Sequence, residues 1–510
     1  RFVNYLSAGC KKIKTNSRIS LNLNMLPTLN KAYLLQHPEL GVTERYFTFP
    51  EKILQFGTGV LLRGLVDYLV DKANKAGQFE GRIVVVKSTD GETTEFTSQD
   101  NLFTTHIKGV AQGELVDQQL INASISRVLQ SNAEWNEILK TVHQPALQII
   151  ISNTTEVGIQ YVPEKIEGIV PVSYPGKLLA VLWERYQCFK GASHTGFVIV
   201  PTELVVNNGN LLKDIVLKLA AYNDMPAEFQ TWIAANNSFC NSLVDRIVPG
   251  KPKELPPAGY TDQLWINAEP FLLWAIEGDA PIAQILNFHK ADARMLITSD
   301  ITPYREQKLR ILNGSHTVSV PLGYLRGLNT VYECMEDPYM RAFFRTVVID
   351  EILPTIKDTC PQAPLFAEDV LDRFANPSIA HKLLSITFQE SSKMNARNVR
   401  TFVRYYEQQG KVPPAMCQGF AAMILFLRPA KQENGQYFGV RGTEYYQITD
   451  DRAAIFAGYW QQYTDIPQLV KAISADTTLW EADLSALSGF TTAVAGHLQE
   501  MLENQAALIK

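Results

Sequence analysis

The sequence predicts an α/β protein in which a Rossmann-like, doubly wound sheet domain precedes a mainly α-helical C-terminal domain. Over roughly the first 300 residues, near-continuous runs of β-branched and other apolar residues alternate with helical spacing, which is typical of a parallel sheet buried on both faces. Later in the chain, apolar residues instead recur three and four positions apart. A glycine-rich turn, Gly57-Thr58-Gly59, joins the first strand to the first long helix.

The length of 510 residues and a hydrophobic content of 46% are sufficient for roughly two or three domains. We expect a disordered basic extension over 1–24, a dinucleotide-binding Rossmann-like domain over 25–300, and a helical domain carrying catalytic and substrate groups over 301–510. The extension has five basic residues and no acidic one, and Met25 is a plausible natural start. A basic binding arm is the alternative interpretation.

The sheet domain is expected to open, after a short helix and a loop over 25–50, with a strand–helix–strand unit. Two later apolar runs read as buried parallel strands. The predicted elements are a strand at 53–56, a helix at 60–75, and strands at 82–87, 146–152 and 196–201.

The second half is expected to be helical, with prolines separating the helices. The predicted helical segments are 305–328, 338–357, 379–389, 396–408 and 413–427. Three glycines in 431–451 predict a loop or a hairpin there.

Composition favours a small-molecule partner in the cytoplasm. A net charge of −5 provides no global attraction to nucleic acid or anionic lipid, and no apolar run reaches the roughly 18 residues that a membrane span needs. The six cysteines and eight histidines show no CxxC or HxxxH spacing, so no metal site is expected. The sequence leaves the oligomeric state open.

The glycine turn is the candidate cofactor site. Gly57 and Gly59 allow a tight turn and a close approach of a pyrophosphate to the helix that follows, and Arg63 adds a candidate positive contact. The third glycine of the usual fingerprint is replaced by Leu62, so an ordinary strand–helix turn remains the alternative.

The end of the second strand bears on the choice between NAD and NADP. Asp90 is placed to accept hydrogen bonds from an adenosine ribose, which favours NAD. Lys87 could instead accommodate a ribose phosphate, and a solvated loop would explain both residues.

The segment KLRILNGSH carries the candidate catalytic groups Lys308, Asn313 and His316. At about 100° per residue, the asparagine lies about 140° and the histidine about 80° from the lysine, so one helix side can present all three. Hydride transfer needs a proton-exchanging group and dipoles at the reacting oxygen. A solvated lysine and a core histidine are the plainer interpretation.

Nine ordered segments resemble the long-chain mannitol dehydrogenase family, and within it most closely the branch that reduces tagaturonate. The resemblance spans roughly 50–430. It rests on QFGTGVLLRG (55–64), QDNLFTT (99–105), SNTTEVGIQY (152–161), VSYPGKL (172–178), PTELVVNNG (201–209), NSFCNSLVDRIVPG (237–250), EPF (269–271), KLRILNGSH (308–316) and RFANPSI (373–379).

The resemblance implies a zinc-free, NAD-dependent oxidoreductase with Lys308 as general acid/base. Asn313 would polarise the carbonyl and His316 would orient substrate hydroxyls. Asp245 would contact the substrate or tune the lysine, with an ion pair to Arg246 as the alternative.

Two departures from the family pattern concern the substrate. Polyol-acting relatives typically have Cys-Asp-Asn where this chain reads Thr202-Glu203-Leu204, so Asn207, Asn208 or a water would have to replace the missing oxyanion-stabilising asparagine. Those relatives also carry an arginine at the position of Ser385, eight residues before the lysine that persists as Lys393.

The substrate implied by the resemblance is a hexuronate, in a reversible conversion of D-tagaturonate to D-altronate. A buried carboxylate requires cationic partners, and Lys393, Arg397 and His381 are the candidate cluster, with a surface helix face as the alternative. A mannitol or fructuronate dehydrogenase and a non-catalytic dinucleotide-binding regulator are the competing functions.

Overall fold

The computed structural model describes residues 26–508 except 90, 155–157 and 254–257. The extension expected over 1–24 and the ribose-binding candidate Asp90 therefore lie outside the described residues. Within the described ranges, no helix combines the length and the hydropathy that crossing a bilayer demands.

The first region is built on a six-stranded parallel sheet, which confirms the predicted fold class. The strands of this region up to residue 239 are β1 (Glu51–Phe56), β2 (Arg82–Lys87), β3 (Phe103–Ala111), β4 (Glu114–Asn122), β5 (Ile125–Gln130), β6 (Ile149–Ser152), β7 (Val198–Pro201) and β8 (Ser238–Phe239). The sheet order is β5-β2-β1-β6-β7-β8, and each neighbouring pair is parallel. This is the Rossmann order, whose switch point lies between β1 and β6.

Both faces of this sheet are buried, which explains why its strands read as continuous apolar runs. Ile53 and Ile83 point into one hydrophobic cluster, whereas their neighbours Leu54 and Val84 point into the cluster on the opposite face. Parallel register pairs Leu54 with Val84, so each face is filled by side chains from adjacent strands.

Helices cover the two faces. The helix after β1 runs continuously through three segments, Val60–Leu62, a π-helical turn Arg63–Asp67, and Tyr68–Lys75. The other α-helices of this region are Lys31–Gln36, Thr94–Thr97, Trp135–Thr141, Tyr174–Phe189, Asn208–Tyr222, Ala227–Asn236 and Ala280–Ile285.

Two small sheets in this region were not predicted from the sequence. Their additional strands are β9 (Ser242–Asp245), β10 (Ile266–Ala268), β11 (Leu273–Glu277) and β12 (Met295–Thr298), giving the orders β10-β3-β4 and β12-β11-β9. Strand β4 is an edge strand whose residues are mostly exposed and polar, so it lacks the apolar run by which the parallel strands are recognised.

Helices dominate from Thr302 onward and pack around one large core cluster. The principal α-helices are Thr302–Gln307, Ser315–Leu325, Val331–Glu336, Pro338–Arg345, Ala363–Phe374, Leu383–Ile386, Glu390–Met394, Arg400–Gln409, Pro414–Phe426, Ala453–Gln462, Ile466–Ala475, Thr477–Trp480 and Phe490–Leu508. Over 431–451 the chain forms a three-stranded antiparallel sheet, β13 (Lys431–Glu433), β14 (Gln436–Arg441) and β15 (Glu444–Ile448), in agreement with the hairpin alternative.

Candidate active site

The glycine turn lies at the carboxyl end of β1, beside the switch point of the sheet. Gly57 has a φ of 127°, a conformation that favours glycine, and an added Cβ there would lie 3.0 Å from the carbonyl oxygen of Asn153. Gly59 precedes the helix and is exposed, with no atom within 4 Å of an added Cβ. The turn therefore leaves open space at a helix N-terminus, which fits a dinucleotide pyrophosphate.

Arg63 is directed into the protein. Its Nη1 donates to the carbonyl oxygen of Leu264 at 2.5 Å, and the guanidinium lies over the rings of Phe96 and Phe103. Burial lowers the pKa of this arginine despite the opposing charge of Asp67. These contacts explain its position without a cofactor, so its expected contact with a pyrophosphate stays a prediction.

A shallow depression follows β2 and β5 on the same edge of the sheet. It is lined by Gly91, Glu92, Thr93, Thr94 and residues of the loop after β5. Lys87 donates from Nζ to the carbonyl oxygen of Glu92 at 2.7 Å and thus supports this loop. The depression lies where an adenosine ribose is bound in this strand order.

A cavity of about 220 Å³ brings the predicted catalytic residues together. The lining residues are Asp245, Ile247, Lys308, Leu312, Asn313, His316, Val331, Arg373, Phe374, Ile379 and His381. Asp245 ends strand β9, whereas the lysine, asparagine and histidine belong to the helical region. The cavity is therefore built from both parts of the chain.

The chain after Asp245 connects this cavity to the glycine turn. Ile247 lines the cavity, and the next residue, Val248, packs so closely on Gly64 that an added Cβ there would lie 2.7 Å from Val248 Cγ2. Gly64 belongs to the helix that the glycine turn begins. One short segment thus lies against both the cofactor candidate and the lysine cavity.

Lys308 and Asn313 are aligned by a π-helical turn, Lys308–Gly314, and not by the regular α-helix from which their alignment was predicted. In a π-turn the hydrogen bonds join residues five apart, so Asn313 lies one turn above Lys308 on the same side. The prediction that one helix side presents the three groups agrees with the lining of the cavity, although the helical geometry differs.

Lys308 contacts the end of strand β9. Its Nζ donates to the carbonyl oxygen of Val244 at 2.9 Å and lies 3.9 Å from Asp245 Oδ1. The lysine side chain is 17% exposed, and the aspartate side chain 8%. The lysine side chain is therefore mostly buried, at the wall of the cavity, next to a single carboxylate among the residues that line it.

Asp245 is held by Arg373, a residue that was not predicted from the sequence to belong to the site. Arg373 Nη1 donates to Asp245 Oδ2 at 2.9 Å and Nη2 to Oδ1 at 3.1 Å. Burial acts to raise the pKa of Asp245, but the charges of Arg373 and Lys308 outweigh it and hold that pKa below its usual value. The alternative pairing with Arg246 is wrong, because that guanidinium donates to the carbonyl oxygens of Glu269 and Gly64.

His316 presents an unpaired nitrogen in the cavity wall. Its ring stacks on Phe374 at 4.2 Å between centroids and meets His381 edge-on at 5.4 Å. Nε2 is buried and has no hydrogen-bond partner among the described residues. Burial, together with the charges of His381, Arg373 and other nearby cations, keeps the pKa of His316 well below its usual value. A neutral imidazole is suited to hydrogen-bonding a substrate hydroxyl.

The predicted carboxylate cluster is brought together only in part. His381 lines the cavity, whereas Lys393 and Arg397 stand outside its lining and act on His316 through their charges. Lys393 Nζ donates to the carbonyl oxygen of Ile386 at 2.8 Å, and Arg397 Nη1 to Thr317 Oγ1 at 2.9 Å. Burial lowers the pKa of both cations.

Glu390, absent from the sequence-based site, lies beside these two cations. It is fully buried, and within the described chain neither carboxylate oxygen has a hydrogen-bond partner. Burial raises the pKa of Glu390 well above its usual value, against the opposing charges of Lys393 and Arg397. Burial therefore opposes a negative charge on Glu390 beside these two cations.

Asn208 cannot replace the missing oxyanion asparagine, which corrects one of the sequence-based alternatives. Its Nδ2 donates to the carbonyl oxygens of Pro201, Glu203 and Ser242, and its Oδ1 accepts from the N–H groups of Gly209 and Ser242. The amide is thus fully used in holding the loop after β7. Its neighbour Asn207 is exposed and has a left-handed φ of 54°.

A Rossmann sheet whose open glycine turn leads to a lysine-lined cavity is the arrangement of a nicotinamide-dependent oxidoreductase. Family models for the mannitol dehydrogenase Rossmann domain and the mannitol dehydrogenase C-terminal domain match residues 51–290 and 300–502. The chain belongs to the mannitol dehydrogenase family.

Curated relatives and solved structures extend this comparison. Altronate oxidoreductases of Bacillus subtilis and Halalkalibacterium halodurans are 37% and 36% identical, covering 92% and 89% of this chain and 96% and 91% of theirs. The fold matches a Pseudomonas fluorescens mannitol 2-dehydrogenase in ternary complex with NAD and D-mannitol (TM-score 0.60, 23% identity, 94% of this chain and 98% of that one). It also matches a substrate-free D-sorbitol dehydrogenase (TM-score 0.70, 20% identity, 95% and 100%).

Proposed function

We propose that the chain catalyses the reversible NAD(H)-dependent interconversion of D-tagaturonate and D-altronate, with Lys308 as general acid/base. The observation that carries the chemistry is the placement of the mostly buried Lys308 side chain, with its amine 3.9 Å from Asp245, in the cavity that His316 also lines. The similarity to altronate oxidoreductases over about nine-tenths of the chain supports the substrate.

The cofactor would be held at the glycine turn and at the depression after β2 and β5. NAD(H), when bound, supplies or accepts the hydride. The structural support is local: Gly57 adopts a glycine-favouring φ, Gly59 leaves open space at a helix N-terminus, and Lys87 braces the loop of the depression.

In the direction of reduction, Lys308 donates a proton to the sugar oxygen, and in oxidation its neutral amine accepts that proton. Asn313 would donate a hydrogen bond to the same oxygen as charge develops on it. His316 Nε2, which faces no protein partner in the described chain, would bind a neighbouring sugar hydroxyl.

The carboxylate of the uronate would lie toward His381, in the field of Lys393 and Arg397. The support is electrostatic, because the charges of both cations reach His316 and burial raises the pKa of the adjacent Glu390 well above its usual value. A hexuronate carboxylate would therefore meet net positive charge at this end. A cytoplasmic location and the absence of nucleic-acid and membrane partners stay predictions.

A substrate panel tests this function. Oxidation of NADH or NADPH is measured with D-tagaturonate, D-fructuronate and D-fructose, and the expected result is the highest kcat/KM for tagaturonate with NADH. A preference for fructuronate or fructose would assign a different substrate within the family. No turnover with any of the three, despite NADH binding, would favour a regulator that only binds the dinucleotide.

A further inference from the structure

Behind the catalytic lysine lies a buried row of alternating charges that the proposed chemistry does not itself use. It runs from Lys308 through Asp245 and Arg373 to Glu269, the residue that follows strand β10. The side chains of Arg373 and Glu269 are 4% and 0% exposed. Solvent therefore screens this row weakly, and each charge in it affects the others.

Each link in the row is a defined hydrogen bond or close ion pair. Arg373 donates both nitrogens of one edge to Asp245, and donates Nε and Nη2 to Glu269 at 3.0 and 2.9 Å. Glu269 is fixed in turn by the N–H of Ile247, which donates to its Oε1 at 2.6 Å. The guanidinium is thereby held by two carboxylates in one orientation.

The bidentate contact with Arg373 keeps the carboxylate of Asp245 from forming a direct ion pair with Lys308. Both oxygens of Asp245 are engaged by Arg373, and the nearer one stops 3.9 Å from Lys308 Nζ, beyond hydrogen-bond length. A free buried carboxylate would form a direct ion pair with that ammonium and retain its proton. A general base must instead be able to release it.

We propose that Arg373 and Glu269 are positioning residues that act through Asp245 to set the pH at which Lys308 exchanges its proton. Arg373 offsets the negative charge of Asp245 and keeps its carboxylate from forming a direct ion pair with Lys308. Glu269 in turn offsets part of the positive charge of Arg373, which would otherwise repel the lysine ammonium. This role rests on the proposed function of Lys308 as general acid/base. Neither residue is required to touch the substrate.

Other titratable groups lie near the lysine, and a test of the charge row must leave them unchanged. His316 and His381 line the same cavity, and Lys393 and Arg397 act on His316 from the following helices. Burial keeps the pKa of both histidines below the usual value, so they are neutral across the neutral to alkaline range. Substitutions at Glu269 and Arg373 therefore change the charge row and leave these neighbouring groups in place.

The test is the pH dependence of kcat/KM for D-altronate oxidation, which rises as the catalytic base loses its proton. Glu269→Gln keeps the acceptor oxygen but removes a negative charge, so the midpoint should move to lower pH by at least about half a unit. Arg373→Gln removes the positive charge and releases Asp245, so the midpoint should move to higher pH. Arg373→Lys should restore the midpoint toward that of the parent.

Loss of structure alone would not move the pH midpoint in opposite directions in Glu269→Gln and Arg373→Gln. Glu351→Gln is the matched control, because Glu351 is equally buried but, within the described part of the chain, accepts hydrogen bonds from the backbone N–H groups of Ala415 and Met416 and not from an arginine. If Arg373→Gln does not fold, the proposal is tested by Glu269→Gln alone, whose midpoint must move to lower pH. An unchanged midpoint in Glu269→Gln, or shifts in the same direction in both variants, overturns the proposal.

A Lys308→Ala variant separates this proposal from the one on which it rests. If that variant keeps its turnover, the assigned role of Lys308 fails, and the charge row has no base to tune. If turnover is lost but the midpoints of the Glu269 and Arg373 variants equal that of the parent enzyme, the positioning role alone is refuted.

Discussion

Replacement of Asp245 by asparagine tests the electrostatic environment of the lysine most simply. The substitution preserves the shape of the side chain and removes the charge 3.9 Å from Lys308 Nζ. With an effective dielectric constant of about 20, a pair of unit charges at that separation interacts by about 4 kcal/mol, or about three pH units of proton affinity. Arg373, left without this partner, adds repulsion in the same direction.

Partial exposure of the lysine, 17%, reduces the effect through solvent screening, so we expect the midpoint of the pH profile to fall by at least about one unit. The plateau of kcat/KM for altronate oxidation should also decline, because a less basic amine is a weaker base. The assay is the initial rate of NADH formation with D-altronate across the neutral to alkaline range.

Asp262→Asn is the control for this experiment. Asp262 is also a buried carboxylate, but it accepts hydrogen bonds from Gln99 and the backbone N–H groups of Thr104 and Leu264. Its replacement should lower stability and leave the midpoint unchanged. A lowered plateau with an unchanged midpoint in Asp245→Asn would refute the electrostatic reasoning and leave Asp245 as a substrate contact or a structural residue.

Three further substitutions address the substrate pocket, the loop after β7 and a buried acid. Lys393→Met should raise KM for tagaturonate about tenfold and KM for fructose much less, since only the uronate carries a carboxylate, with the hairpin variant Lys431→Met as control. Asn208→Ala should lower the free energy of unfolding by about 2–4 kcal/mol in denaturant titration, because five backbone hydrogen bonds are lost. Burial raises the pKa of Asp67 to about 8 from 3.8, so the folded state binds the extra proton and loses stability as pH rises between these values. Asp67→Asn should therefore flatten that decline by up to about 1.4 kcal/mol per pH unit, as read from unfolding at several pH values.

The parallel sheet could be predicted from sequence because its strands are buried on both faces. In the strand Arg82–Lys87, for example, the four residues at 83–86 are all β-branched and apolar, a local signal that tertiary contacts reinforce. The exposed strand Glu114–Asn122 has no such run and pairs through backbone hydrogen bonds with Phe103–Ala111, so its sequence resembles that of a polar loop.

The candidate site was predictable where its residues share one segment. Lys308, Asn313 and His316 fall within nine residues, and their common side survives the change from an α-helix to a π-turn. Arg373 lies 128 residues from Asp245 and 104 from Glu269, and no local pattern indicates which of the chain's many arginines meets those carboxylates. Such pairing depends on the packing of helix Ala363–Phe374 against the strands and becomes visible only in three dimensions.

In the proposed reaction, the amine of Lys308 exchanges the proton with the sugar oxygen. The direct measurement is altronate oxidation by Lys308→Ala, alone and with added small primary amines, alongside a determination of NAD affinity. We predict a loss of kcat of about 10²–10⁴-fold with unchanged NAD affinity, and partial recovery in proportion to the free-base amine. Turnover within about tenfold of the parent enzyme, with no response to amines, would contradict the account.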